Sequence, residues 1–219
     1  HGVSDDGKII VGWRQVNTFM ESFRWDATNG MTILPNPFLN TPSNQAMATS
    51  ASGDVVAGIH GTPQQHQVYL WSPASGMTNI GDLPGSNIYA QITNMSADGR
   101  IVVGRGNSIK SAEAFAWSQA TGMVGLGYVP GTVESIALAA SANGQVIVGV
   151  SNFSTTPTAF IWDQVNGMRS LDAVLRAQGV NLTGWTVISA TGMSADGTVI
   201  VGRAVNPQGN AEAYRAVVN

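Results

Sequence analysis

Cysteine is absent from the 219 residues, which removes disulfides, thiolate catalysis and thiolate metal ligation together. Charge is scarce: Asp, Glu, Lys and Arg make up 11% of the chain, and the formal net charge is −3. The ten Lys and Arg are spread along the whole length. No basic patch therefore exists to capture nucleic acid or an anionic membrane. No apolar run approaches the roughly 18 residues of a membrane-spanning helix. The chain opens at His1 with neither an initiator Met nor a signal-like segment, so the expectation is a mature product or an excised fragment.

Glycine is plentiful at 26 residues, six tryptophans are present, and 43% of the chain is hydrophobic. Low charge with much glycine suits an all-β protein with many tight turns and argues against disorder.

The stretch Ser96–Gly99 (SADG) recurs at Ser194–Gly197, with variants at Ser4–Gly7, Ser50–Gly53 and Ser141–Gly144. The turn glycines Gly7, Gly53, Gly99, Gly144 and Gly197 are spaced by 46, 46, 45 and 53 residues. Five residues after each stands a second glycine, Gly12, Gly58, Gly104, Gly149 or Gly202, closing a β-branched run such as RIVVG. The first four units continue with Phe23/Trp25, Tyr69/Trp71, Phe115/Trp117 and Phe160/Trp162, and then with a Gly-Met pair five residues past each Trp. Landmarks in fixed register define an internal repeat.

Each unit reads as four short antiparallel strands. An Asp-Gly-type hairpin joins the first two, and the Phe and Trp, two residues apart, share one strand face. About 46 residues and four strands is the size of a propeller blade. Two residues before the repeated Ser stand only small or short side chains, Gly2, Ala48, Asn94, Ala139 and Gly192, as crowding near a propeller axis requires. A β-solenoid or stacked-sheet array has no need of that narrowing. The expectation is an all-β propeller of about five four-stranded antiparallel blades in one domain, residues 1–219. The units run about 2–45, 46–90, 91–135, 136–186 and 187–219, and the last is incomplete. The wider fourth spacing holds Ser170–Leu182, where Leu171, Val174 and Leu175 fall at helical spacing. Ser170 can cap the start and Gly179 the end, which predicts a short helix near 171–178. The Ser and Asp of the repeated turn read as turn formers that bond their own backbone.

The pattern S-x-D-G-x-x-(V/I)-V-G, followed by A-F-x-W and by G-M-x-x-L-G-x-L-P-G, resembles the bacterial extracellular HAF-repeat family over essentially the whole chain. The segment Gly184–Val218 is similar to that family's usual last repeat. The resemblance implies secretion, as part of a surface protein or an autotransporter passenger, and implies no catalytic residues. The His that gives the family its name is replaced here by Glu21, Gln67, Glu113, Thr158 and Glu212.

Chemistry is sparse. The histidines are His1, His60 and His66; the last two flank a polar loop, lack a third ligand for a metal, and read as solvated. Glu21, Glu113 and Glu212 share one repeat position and read as a hydrated blade rim, leaving Glu134 as the acid to watch for a paired-carboxylate glycan hydrolase. Trp25, Trp71, Trp117 and Trp162 read as core. Variation concentrates after the second glycine, where Trp13, His60, Arg105, Phe153 and Arg203 sit among Asn, Gln, Ser and Thr. Loops on a rigid scaffold are where recognition is built. The expectation is a non-enzymatic recognition or adhesion module for a glycan or another surface protein, with those five residues as candidate ligand contacts and no cofactor or metal. A structural spacer and a glycan-cleaving enzyme are the alternatives.

Overall fold

The computed structural model describes residues 1–38, 43–62, 64–85 and 88–218. Its strands form five antiparallel sheets, each in simple sequence order. Blade 1 comprises Gly2–Val3, Ile10–Val16, Phe19–Asp26 and Gly30–Ile33; blade 2, Ser43–Thr49, Val56–Thr62, Gln65–Ser72 and Gly76–Gly81. Blade 3 comprises Ala90–Met95, Val102–Asn107, Ala112–Ser118 and Gly122–Gly125; blade 4, Ser135–Ala140, Val146–Ser151, Thr158–Asp163 and Gly167–Ser170. Blade 5 has three described strands, Thr186–Met193, Val199–Val205 and Ala211–Val217. The first strand of each blade lies beside the first strand of the next, so these are the inner strands.

The repeated turn is built as its residues dictate. Ser96 Oγ donates to Asp98 Oδ1 at 2.7 Å and accepts from Ile101 N at 2.9 Å, while Asp98 Oδ1 also accepts from Arg100 N at 3.0 Å. Gly99 takes φ 73°, which glycine adopts without a Cβ penalty. Asn143 and Ser52 fill the Asp position with the same bonds, so the site needs an acceptor and not a charge. Successive turns are also tied to each other: Asp5 N donates to Ala51 O, Ala51 N to Ala97 O, and Ala142 N to Ala195 O.

The second glycine answers to a different constraint. The inner strand of blade 3 bulges opposite Val103 and Gly104, and a bulge bends its strand toward the partner. A Cβ on Gly104 would lie 2.0 Å from Gln91 O. Ile136 O stands at 2.0 Å from the same point on Gly149, and Ser189 O at 1.9 Å on Gly202.

The apolar cores lie between blades. Val11 and Leu34 of blade 1 pack on Val56, Tyr69 and Met77 of blade 2. Ala57 and Val68 pack on Val102 and Phe115, Val103 and Ala114 on Ile147 and Phe160, and Val148 and Ala159 on Ile200 and Tyr214. Tyr69, Phe115 and Phe160 are fully buried, each contributing about 2–3 kcal/mol by removal of its ring from water. The expected helix spans Leu171–Ala177, capped by Ser170 and followed by Gly179 at φ 84°. It buries Leu171 and Leu175 in the seam between blades 4 and 5.

Candidate functional site: the loop end of blades 2 to 4

The Ser-Asp turns mark one end of every blade. Antiparallel order then places the loop after the second strand, and the linker into the next blade, at the opposite end. Arg105 lies near the end of the second strand of blade 3, three residues beyond Val102. Its guanidinium carbon sits 5.5 Å from the centre of the Tyr89 ring and 5.3 Å from that of Phe153. Its Nη2 donates to the Tyr89 hydroxyl at 3.3 Å. Its Nε is buried with no hydrogen-bond partner. A guanidinium between two ring faces gains cation–π attraction at each.

Both rings are held by their backbones. Tyr89 N donates to Asp82 Oδ2 at 2.6 Å, and Tyr89 O accepts from Asn107 N at 3.0 Å. Burial pushes the Asp82 carboxyl up, against the pull of the Tyr89 and Leu83 N–H groups. Phe153 follows Asn152, which takes φ 52°, a left-handed conformation that asparagine tolerates. Asn152 N donates to Glu134 O, and its side chain accepts from Val133 N at 3.0 Å.

The stack continues into blade 2. His66 forms a parallel bridge with Tyr89, and their rings lie 4.4 Å apart at 50°. His66 also borders a cavity of about 310 Å³ with Thr18, Gln45, Ile59 and His60. His60 stacks on Phe38, with ring centres 3.9 Å apart. Burial lowers the pKa of both imidazoles; the Asn79 side chain partly opposes this at His60, and the nearby His60 adds to it at His66. Near pH 7 they present neutral rings with one donor and one acceptor each.

Arg105 and Phe153, 48 residues apart in sequence, thus meet across blades 3 and 4, and His60 borders the adjoining cavity together with His66. His60 is 5% exposed, which corrects the expectation of a solvated loop: its strand carries it inward against Phe38. Trp13 stands apart, stacked on His1 at 5.8 Å with its indole Nε1 buried and unbonded. Arg203 is exposed on the second strand of blade 5 and takes no part in the stack. Tyr89 and Phe38 were missed in the sequence because neither falls on a repeated position.

The expected core tryptophans are half-buried instead. Three of them border grooves between blades at the turn end, one of about 670 Å³ flanked by Trp117 and Trp162 and one of about 630 Å³ flanked by Trp71 and Trp117. The smaller Phe or Tyr two residues earlier fills the seam, and the indole caps its edge. The glutamates serve loops and rims. Glu113 accepts from Gly127 N at 2.9 Å, Glu134 from Ser154 N at 2.6 Å, Glu212 from Asn206 Nδ2 at 2.5 Å, and Glu21 pairs with Arg14.

Comparison with solved structures agrees with this geometry. TolB from Acinetobacter baumannii superposes with a TM-score of 0.61 at 14% identity over 97% of this chain and 52% of its own. The fold is a β-propeller. A TolB protein of Agrobacterium tumefaciens gives 0.58 at 14% identity, covering 99% of this chain and 80% of its own. Dipeptidyl peptidase 4 from Porphyromonas gingivalis gives 0.56 at 9%, covering 95% and 35%. This propeller therefore spans about half the length of the Acinetobacter protein. No family model and no curated protein sequence matches the chain. Among the described residues no helix is long and apolar enough to cross a membrane, and no cluster of three or more His, Asp or Glu is placed to hold a metal.

Proposed function

We propose that the chain is a non-enzymatic recognition module of a secreted or surface-displayed bacterial protein, and that the loop end of blades 2 to 4 reads a glycan bearing acidic groups. The observation that carries this reading is the unbroken row His66, Tyr89, Arg105 and Phe153. The rings offer apolar faces to a sugar, and the guanidinium offers donors suited to a carboxylate or sulfate. The cavity beside His66 supplies neutral amide, hydroxyl and imidazole groups for sugar hydroxyls, and its volume falls at the small end of ligand sites. These groups break the repeat symmetry, whereas the turn end repeats its residues from blade to blade, as scaffolding does. Location outside the cytoplasm rests on the resemblance to HAF repeats and agrees with the absence of cysteine.

The test is an array of acidic and neutral glycans, probed with the purified chain and with Arg105→Ala and Arg203→Ala. Binding confined to acidic glycans, weakened at least tenfold by Arg105→Ala and unchanged by Arg203→Ala, is the expected result. No binding to any glycan overturns the ligand class and leaves a protein partner or a spacer role. Equal loss in both variants overturns the site.

A further inference from the structure

Blades 1 and 5 each leave one face uncovered, and the two faces are the two halves of a junction that the chain makes four times. Just before the second glycine, Val11, Ala57, Val103 and Val148 are 0% exposed, but Val201 of blade 5 is 42% exposed. One residue earlier the pattern reverses: Val56, Val102, Ile147 and Ile200 are 0% exposed, but Ile10 of blade 1 is 40% exposed. Met31 is 51% exposed where its repeat counterpart Met77 is 7%. Adjacent strand residues point to opposite faces. The Val201 face is therefore the one each blade turns to its successor, and the Ile10 face the one it turns to its predecessor.

The internal junctions show what belongs on each. Val103 and Ala114 receive the Phe160 ring, Ala57 and Val68 receive Phe115, and Val148 and Ala159 receive Tyr214. Blade 5 presents the same small pair, Val201 and Ala213, both exposed and, among the described residues, outside every apolar cluster. Blade 1 presents the complement: Phe23 is only half-buried where Tyr69, Phe115 and Phe160 are fully buried. Among the described residues no apolar cluster joins blade 5 to blade 1.

We propose that both faces are covered by one further blade of this same repeat, joined to the same polypeptide. It would set its aromatic ring against Val201 and Ala213 and a small-residue pair against Phe23. A ring without a pocket and a pocket without a ring call for an element that carries both, which is what each internal blade does. Covalent linkage is favoured because it makes the contact intramolecular, at an effective concentration of order millimolar for a short linker. Pairing two copies through blade 5 would instead oppose Arg203 and Arg215 to themselves, both of which lie on the uncovered face. The inference is independent of the recognition reading.

The absence of cysteine makes the test direct. Val201→Cys and Ile10→Cys each place one thiol on one face. Their labelling rates are measured in the 219-residue chain and in a chain extended at its C-terminus by a copy of residues 91–135. At least a tenfold fall for both thiols on extension, at every protein concentration, is expected. Phe115→Asp within the appended copy should restore labelling at Val201, which a merely obstructing tail would not do. A second extension carrying residues 136–186 guards against one copy failing to fold. Unchanged labelling with both extensions overturns the proposal. So does protection of the unextended chain that rises with its concentration, which would make a second copy the occupant.

Discussion

Ser22 Oγ and the Tyr69 hydroxyl lie 2.7 Å apart across the seam between blades 1 and 2, both fully buried. It is a polar clasp inside the junction, beside a second one in which Ser22 N donates to the buried Asn44 Oδ1 at 2.9 Å. Removing either partner strands the other away from water.

Tyr69→Phe should therefore destabilise the fold by about 1–3 kcal/mol, the cost of leaving the buried Ser22 hydroxyl without its partner. Ser22→Ala with Tyr69→Phe should recover part of that loss, as a double-mutant cycle of urea unfolding would show. Burial also pushes the Tyr69 phenol well above its ordinary value, with the Ser22 bond partly opposing. The folded-state pKa is raised, so the neutral phenol contributes its full stability below the ordinary phenol pKa of about 10. That contribution falls as pH climbs above it. Unfolding midpoints between pH 9 and 12 should fall more steeply for the native chain than for Tyr69→Phe.

The repeated turns give the opposite dependence. The Lys8 N–H and the Ser4 hydroxyl hold the Asp6 carboxyl down to about 2. The Ser194 hydroxyl and Thr198 N–H lower Asp196. Burial raises Asp98, but the Ser96 hydroxyl and Arg100 N–H outweigh it. With folded pKa values depressed, these carboxylates stabilise the fold above the unfolded value near 4 and cease to do so as pH falls toward 2. The urea midpoint should drop through that window. Asp98→Asn should flatten the drop at little cost at pH 7, because Asn143 already serves the same turn in blade 4. A large loss at pH 7 would show that the charge itself is required.

Gly104→Ala should cost about 3 kcal/mol, the upper part of the overpacking range, because the added methyl meets Gln91 O at 2.0 Å and a backbone carbonyl cannot swing aside. Gly12→Ala, at the equivalent position of blade 1, meets the tip of the Phe23 ring at 3.0 Å. It should cost under half as much, since that ring is free to move toward the uncovered face. Similar thermal shifts for the two variants would refute the bulge as the reason for the glycine.

How far these features could be read in advance depends on whether they repeat. Ser96, Asp98 and Gly99 announce their turn because local bonds determine it, and Ser170 and Gly179 announce the helix for the same reason. Gly104 announces a special position but not its cause, since the bulge belongs to the partner strand. The indole of Trp117 has the composition of core and lies at a groove, because seam depth admits one large ring per blade and Phe115 takes it. Arg105 and Phe153 were visible as candidates in the variable stretch after the second glycine, although Arg105 proves to lie on a strand and not in a loop. Their contact was not, because Tyr89 and Asn152 aim them from positions outside the repeat.

Each of the four seams among the described residues joins blades that follow one another directly, between partner positions one repeat apart in the chain. Closing any seam therefore ties off a loop of nearly the same length, at nearly the same entropic cost. Folding then has no single obligatory nucleus: any two neighbouring blades can start it, and later blades add one at a time, as in linear repeat arrays. Within the 219 residues, blades 2 to 4 are held from two sides and blades 1 and 5 from one. Loss of structure should begin at blades 1 and 5 and advance inward, leaving the Tyr89–Arg105–Phe153 stack among the last groups to come apart.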